Sequence, residues 1–320
     1  MAGHSGQFYA LDIGKQTAKG TAQTTPKFKL RLTGGAPVPQ PQILDLPETD
    51  NSIQRSRAVK VGQSINVAFE GFVRSDEFGF LAFGALGAEA VTGAGPYTHT
   101  ATAAAAPPYF TLYPSYDTTA LVDRYVDCRI GTLTLRGGAN QALSYSIAGA
   151  GITATYGETQ PVLAQSTVNP LVYPNVTVTL GGVTTDIVES FELTSDKTLS
   201  VIQGDTGMVP SEIQPGRWGV TGTLTILFET DAKWRAWLSG TTSGTATSQT
   251  MFTEALTITA TTGASDSVSA VMTAVELRQI DLAPDPSGEA LRYTYQFSAQ
   301  PQATIANTFS IVTINSVATY

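Results

Sequence analysis

Between Val220 and Phe228 the chain alternates with a period of two: Val220, Leu224, Ile226 and Phe228 fall on one side, Thr221, Thr223 and Thr225 on the other. Only an extended strand sends successive side chains to opposite faces, so the pattern predicts a strand with one buried face and one threonine-rich face. The same reading holds over residues 59–73, 130–135, 142–156, 176–180, 187–193, 256–260 and 291–297. Abundant Thr, Val and Tyr favour strands, and 30 Gly with 17 Pro supply turns between them. A mainly β fold follows.

Two segments carry a helical period instead. The first starts at Ser75 or Asp76 and ends near Leu86; Phe80, Leu81 and Phe83 form its apolar stripe, and Asp76 and Glu77 sit at the positive end of its dipole. The second covers residues 230–238, with Thr230 or Asp231 as N-cap and Trp234, Trp237 and Leu238 on one face. Phe80, Phe83, Trp234 and Trp237 are expected to pack these helices onto a sheet, the ordinary fate of large apolar side chains.

Each helix directly follows a long strand, which exposes a repeat. Residues 61–87 align without gaps on 215–241, matching Val73 with Leu227, Phe80 with Trp234 and Phe83 with Trp237. Ala142-Leu143-Ser144-Tyr145 likewise matches Ala290-Leu291-Arg292-Tyr293. The organisation expected is an arm over 1–26, a first module over 27–156, a proline-containing linker over 157–174, a second module over 175–300 and a closing strand or arm over 301–320. Residues 33–58 and 195–217 read as long loops interrupting strands at equivalent places in the two halves.

Chemistry is sparse. One cysteine, Cys128, excludes an intrachain disulfide and any zinc site of several thiolates. Of the two histidines, His4 and His99, the second lies in an alternating run and reads as a strand residue. Glu48/Asp50, Asp76/Glu77, Glu189/Glu192 and Glu229/Asp231 are better explained by solvation or capping than by catalysis, and no glycine run forms a phosphate cradle. No catalytic residue, cofactor or metal is expected. With 18 Lys+Arg against 26 Asp+Glu, the net charge of −8 argues against a protein that grips nucleic acid through phosphate neutralisation. Neither a signal peptide nor an apolar run of about 20 residues is read in the sequence, so cytoplasmic synthesis without a membrane partner is expected.

The stretch Gly6-Gln7-Phe8-Tyr9-Ala10-Leu11-Asp12-Ile13-Gly14, the Glu70-Gly71 strand leading into residues 76–87, and Val188-Glu189-Ser190-Phe191-Glu192-Leu193 through Pro210 to Gly222-Thr223 resemble the tail tube proteins of long-tailed, siphovirus-type bacteriophages. The resemblance covers nearly the whole chain. It implies two fused β-sandwich or half-barrel modules, each flanked by a short helix. It further implies rings whose inner sheets join into one barrel, with trimers of pseudo-sixfold symmetry where the fold is doubled. Stacked rings would conduct viral DNA during ejection, in a virion tail assembled in the host bacterial cytoplasm. The implied partners are the chain itself and the tape measure, tail terminator and distal tail proteins. In such proteins the loop between two early strands reaches the neighbouring ring; the matching apolar positions here are Ile43, Leu44, Leu46, Val209 and Ile213. Glu70, Glu189, Glu192 and Glu229 are candidate lumen carboxylates, which would repel DNA phosphates. Other readings are a distal tail or baseplate hub component, or a secreted carbohydrate-binding β-sandwich; the latter would normally expose aromatics on a loop or sheet face, whereas Trp234 and Trp237 fall on a helix.

Overall fold

In a computed structural model, the described residues are 9–46, 57–116, 121–185, 188–204, 207–282, 290–304 and 307–320. The first half of the chain runs β1 (Ala10–Lys15), β2 (Phe28–Leu30), β3 (Leu32–Gly35), β4 (Val38–Asp45), β5 (Ala58–Phe72), α1 (Ser75–Leu86), β6 (Gly87–Thr92), β7 (Tyr97–Ala103), β8 (Phe110–Ser115), β9 (Asp123–Gly138), β10 (Ser144–Gly151) and β11 (Thr153–Tyr156). The second runs β12 (Val176–Leu180), β13 (Val183–Thr185), β14 (Val188–Gln203), β15 (Pro210–Leu227), α2 (Ala232–Ser239), β16 (Thr253–Gly263), β17 (Asp266–Leu282), β18 (Arg292–Ala299) and β19 (Ser310–Asn315). The fold is mainly β and sandwich-like, as the alternation predicts, and α1 occupies the predicted residues.

One antiparallel pairing order occurs in both halves. β1 pairs with β2 and β8, β8 with β9, β9 with β10 and β11, and β10 with β5, whose other side takes β3 and β4. β12 pairs with β13 and β16, β16 with β17, β17 with β18 and β19, and β18 with β15, whose other side takes β14. Even the irregularities correspond. The shift between Ala148 and Gly149 opposite β9 has its counterpart between Leu277 and Gln279, and that between Gln42 and Ile43 has its counterpart between Lys197 and Leu199. β9 then pairs with β14, so β4, β5, β10, β9, β14, β15, β18 and β17 lie side by side across the molecule.

This geometry corrects the gapless alignment by one residue. Val73 N–H donates to the Leu143 carbonyl at 2.9 Å, and Phe228 N–H donates to the Leu291 carbonyl at 2.8 Å, so Val73 corresponds to Phe228. A slip of one residue turns a strand over: the gapless register set exposed Glu70 against buried Leu224. The second half also takes two more residues to pass from strand to helix, so no single gapless register fits both the strands and the helices.

Three other expectations change. The described residues of 33–58 and 195–217 are largely strand: β3 and β4 lie against β5, while β14 and β15 pair along most of their length as one antiparallel ladder. Their outer parts are exposed on both faces, as at Ile43, Leu44, Val201 and Ile202, so no burial period marks them in the sequence. Residues 47–56 of the expected first loop, including Glu48 and Asp50, lie outside the described residues, as do His4, Ile187 and the turn 284–288. Within the expected arm, residues 10–15 form β1, with Leu11 and Ile13 wholly buried; two apolar residues at period two are a short signal. Residues 157–174, expected as a linker, form no extended strand and strap onto the first half of the chain, as Leu143 N–H donates to the Leu171 carbonyl and Leu171 N–H to that of Val73.

α1 is buried on nearly every side. Phe80 meets Phe28, Phe110 and Tyr320 at ring-centroid distances of 5.1, 5.4 and 5.8 Å. At its C-terminus, where carbonyls lack helical partners, the buried Lys197 ammonium donates to the Ala104 carbonyl at 2.6 Å and reaches that of Leu86 at 3.5 Å. α2 is lighter: only Ala236 is buried, Trp234 and Trp237 pack partly onto the core, and the Trp237 indole donates to the Arg278 carbonyl at 3.2 Å. Leu238, expected on the packed face, remains exposed, because the helix covers too little of the sheet to bury it.

Glu77 sits buried in the first turn of α1, its carboxylate within reach of the Ser166 backbone. Burial, reinforced by Asp76 and opposed by Arg74, Arg31 and the Ser166 backbone, raises its pKa from 4.5 to about 7. The folded chain therefore holds this proton more tightly than the unfolded chain does. The resulting stability is fully present below pH 4.5 and is lost as pH rises through about 7. Glu77→Gln is expected to stabilise the protein at pH 8 by about 3 kcal/mol, at about 1.4 kcal/mol per unit, with little change at pH 4. Urea unfolding at the two pH values measures this; equal midpoints at pH 8 would contradict it.

Candidate functional site

The broad central sheet has two unlike faces because its strands alternate in phase. Ile65, Val67 and Phe69 of β5, Tyr145 and Ile147 of β10, Leu133 and Leu135 of β9, Phe191 and Leu193 of β14, Leu224 and Ile226 of β15, and Tyr295 and Phe297 of β18 form the buried face. The other face is polar and follows the register across the molecule. Glu70 lies opposite Ser146, Ser146 opposite Thr134, Thr134 opposite Thr194, Thr194 opposite Thr221, and Thr221 opposite Ser298. A parallel row runs through Arg136, Glu192, Thr223 and Gln296 to Gln279.

Side chains tie these rows together. Thr134 and Thr194 hydroxyls meet at 3.1 Å, Thr132 donates to Asp196 at 2.6 Å, and Arg136 pairs with Glu192 at 2.8 Å. Arg278 donates to Ser298 at 2.7 Å and Gln296 to Asp281 at 2.8 Å. Glu70, Glu192, Asp196, Glu276 and Asp281 face Arg136 and Arg278 on this surface, leaving it acidic. Exposed pairs of this kind contribute little to stability, about 0–1 kcal/mol each; their visible effect is a polar sheet face with a negative field.

Of the four carboxylates singled out in the sequence, Glu70 and Glu192 lie on this face. Glu189 sits at an irregularity of β14 and pairs with Arg292 at 2.7 Å. Glu229 lies beyond the end of β15, in the connection to α2, so it is not a strand carboxylate. The sequence reading reaches Thr221, Thr223 and Thr225 on this face but not Thr132, Thr134, Thr194, Asp196, Arg278 or Asp281; the alternation that buries Leu193 also turns Thr194 outward, which is the available signal.

At the far ends of the long strands, Ile43 and Leu44 are 66% and 49% exposed, Val209 is exposed and Leu46 half-buried. Ile213 differs: it is wholly buried, and its carbonyl accepts from Arg129 at 2.5 Å. With no exposed surface, its side chain is unavailable for a contact with another subunit in this conformation, and the Arg129 that holds its carbonyl stacks on Tyr109.

The residues that invite a catalytic reading are spoken for. His99 is buried on β7, stacked on Tyr320 at 4.1 Å, with Nδ1 2.6 Å from Glu89 and Nε2 2.7 Å from the Val317 carbonyl. Cys128 is buried, and desolvation with the Asp127 charge pushes its thiol pKa far up, away from nucleophilic use. Among the described residues no group of three or more His, Cys, Asp or Glu could hold a metal, and no helix is long and apolar enough to cross a membrane.

A two-faced sheet whose row ends in β4 and in residues 279–282 of β17, neither with a further strand neighbour among the described residues, is the build of an assembly subunit. The family model described as phage tail tube protein matches residues 10–304, and the chain belongs to that family. No curated protein matches the sequence. Membership gives a structural role in the virion tail and implies self-assembly into a tube alongside other tail components, without enzymatic activity.

Proposed function

We propose that three chains close into a ring of pseudo-sixfold symmetry, that rings stack into a hollow tube, and that the tube conducts viral DNA during ejection. The observation carrying this reading is the eight-strand row from β4 to β17, polar on one face and, among the described residues, without a further strand beyond β4 or beyond residues 279–282 of β17. An edge strand displays unpaired N–H and C=O groups, and closing a ring satisfies them. The matching pairing orders support two fused copies of one module, hence three chains for six modules. Twenty-four strands spaced about 4.8 Å and tilted about 40° give a backbone diameter of roughly 45–50 Å, enough for duplex DNA inside a layer of side chains.

In this reading the Thr/Ser/Glu face, including Glu70 and Glu192, lines the bore. Its short hydroxyls and negative excess let DNA slide without a basic grip. The exposed apolar residues at the strand ends, Ile43, Leu44, Leu46 and Val209, meet the adjacent ring. Tape measure protein occupies the bore before ejection, and terminator and distal tail proteins cap the ends. Tail assembly takes place in the host cytoplasm, and a flexible, non-contractile siphovirus tail suits a chain of this size. Electron microscopy of the purified protein tests the reading: annuli with a central hole, or tubes, are expected, and a uniformly monomeric particle at high concentration would refute it.

A further inference from the structure

The joint between β9 and β14 unites the two halves inside one chain, and its geometry specifies the joint between chains. Its register sets Thr194 opposite Thr134, Ser195 opposite Leu133 and Asp196 opposite Thr132. The corresponding strands at the ends of the row lack such a neighbour. β3 and β4 pair only with β5, and residues 279–282 of β17 pair only with β18, among the described residues.

The correspondence is fixed by pairing. Val38, Pro39 and Gln40 lie opposite Asn66, Ile65 and Ser64, as Thr194, Ser195 and Asp196 lie opposite Thr221, Val220 and Gly219. Gln279, Ile280 and Leu282 lie opposite Gln296, Tyr295 and Tyr293, as Thr132, Leu133 and Leu135 lie opposite Ala148, Ile147 and Tyr145. We infer that β4 of one copy docks beside β17 of a second copy in the internal register, placing Val38 opposite Asp281, Pro39 opposite Ile280 and Gln40 opposite Gln279. This inference rests on the ring reading above and gives its interface a specific register.

The two joints differ in one respect. Pro39 and Pro41 cannot donate to β5, so the β4–β5 ladder draws its donors from Val38, Gln40 and Gln42, and the prolines turn toward the outer edge. Across the proposed joint, Ile280 N–H donates to the Pro39 carbonyl and nothing is donated in return. The joint between copies is therefore a half-bonded version of the internal one. The same prolines blunt β4 against indiscriminate strand pairing, so docking depends on the whole edge in register.

Cysteine cross-linking of the assembled full chain tests this. Gln40 and Gln279 would form a non-hydrogen-bonded antiparallel pair with Cα atoms about 4.5 Å apart, within disulfide range. The buried native thiol Cys128 does not compete. On mild oxidation Gln40→Cys with Gln279→Cys is expected to give reducible covalent dimers and trimers. Val38→Cys with Asp281→Cys should do the same, and guards against local damage from either substitution. The mixed pair Val38→Cys with Gln279→Cys, out of register by two residues, should stay uncoupled. Rings in the microscope with neither matched pair coupled would overturn the joint and leave the ring reading standing. Coupling of the mixed pair at least as strong as the matched pairs would overturn the register, and absence of rings from the unmodified chain would overturn both.

Discussion

Phe80→Ala is expected to lower the free energy of unfolding by about 3–5 kcal/mol, the cost of emptying a fully enclosed aromatic site. The side chain has no exposed surface, and rings of Phe28, Phe110 and Tyr320 surround it. Relaxation is limited because the backbone on either side is pinned. A Cβ at Gly79 would clash with Tyr320 and Thr313, and one at Gly84 would lie 2.9 Å from both Ile130 and Phe110. The helix therefore cannot slide to fill the void. Trp234→Ala on the half-covered α2 should cost markedly less, since part of that side chain already meets water. Denaturant midpoints of the two variants measure the contrast; similar losses would contradict the unequal burial of the helices.

Ile43→Asp combined with Leu44→Asp is expected to abolish tube growth while leaving the subunit folded. Both side chains stand in water on β4, so the monomer should change by no more than about 0.5 kcal/mol. In a stacked tube each would be buried in every ring, where an apolar side chain of this size contributes about 1.5–3 kcal/mol. An aspartate there forfeits that contribution and adds a charge that is costly to desolvate. The effect multiplies over the copies in a ring, so the loss is cooperative. Unchanged thermal unfolding together with an absence of tubes in sedimentation is the expected pair of results. Tubes of ordinary length from this variant would remove the strand ends from the stacking contact. Deleting residues 33–58 is a poorer test, because it removes β4 from the sheet as well as the contact.

Much of the sheet was legible because one buried face leaves a period of two. β12 falls on its predicted residues, β5 lies one residue from its prediction, and α1 matches because its apolar stripe interrupts that period. The outer halves of β14 and β15 were illegible for the complementary reason: strands wet on both faces carry no alternation, and Thr, Ser, Gln and Pro there read as loop. The candidate site was half legible. Alternation placed Glu70 and Glu192 on a face, but only pairing reveals that residues from β5, β9, β14 and β15 share it, since its cross-strand neighbours are distant in sequence, as Glu70 is from Ser146 and Thr134 from Thr194. The burial of Ile213 could not be read either, because its stretch of β15 carries no regular alternation; the Arg129 guanidinium that binds its carbonyl and stacks on Tyr109 comes from a distant strand.

Which way the sheet faces decides whether its Thr/Ser/Glu surface can line a bore. A reconstruction of the tube by electron cryo-microscopy, at a resolution that traces strands, tests it directly. Three chains per ring are expected, with Glu70, Thr134, Thr194, Glu192 and Thr223 pointing into the bore. A map with those residues on the outer wall, or with six chains per ring, would contradict the account.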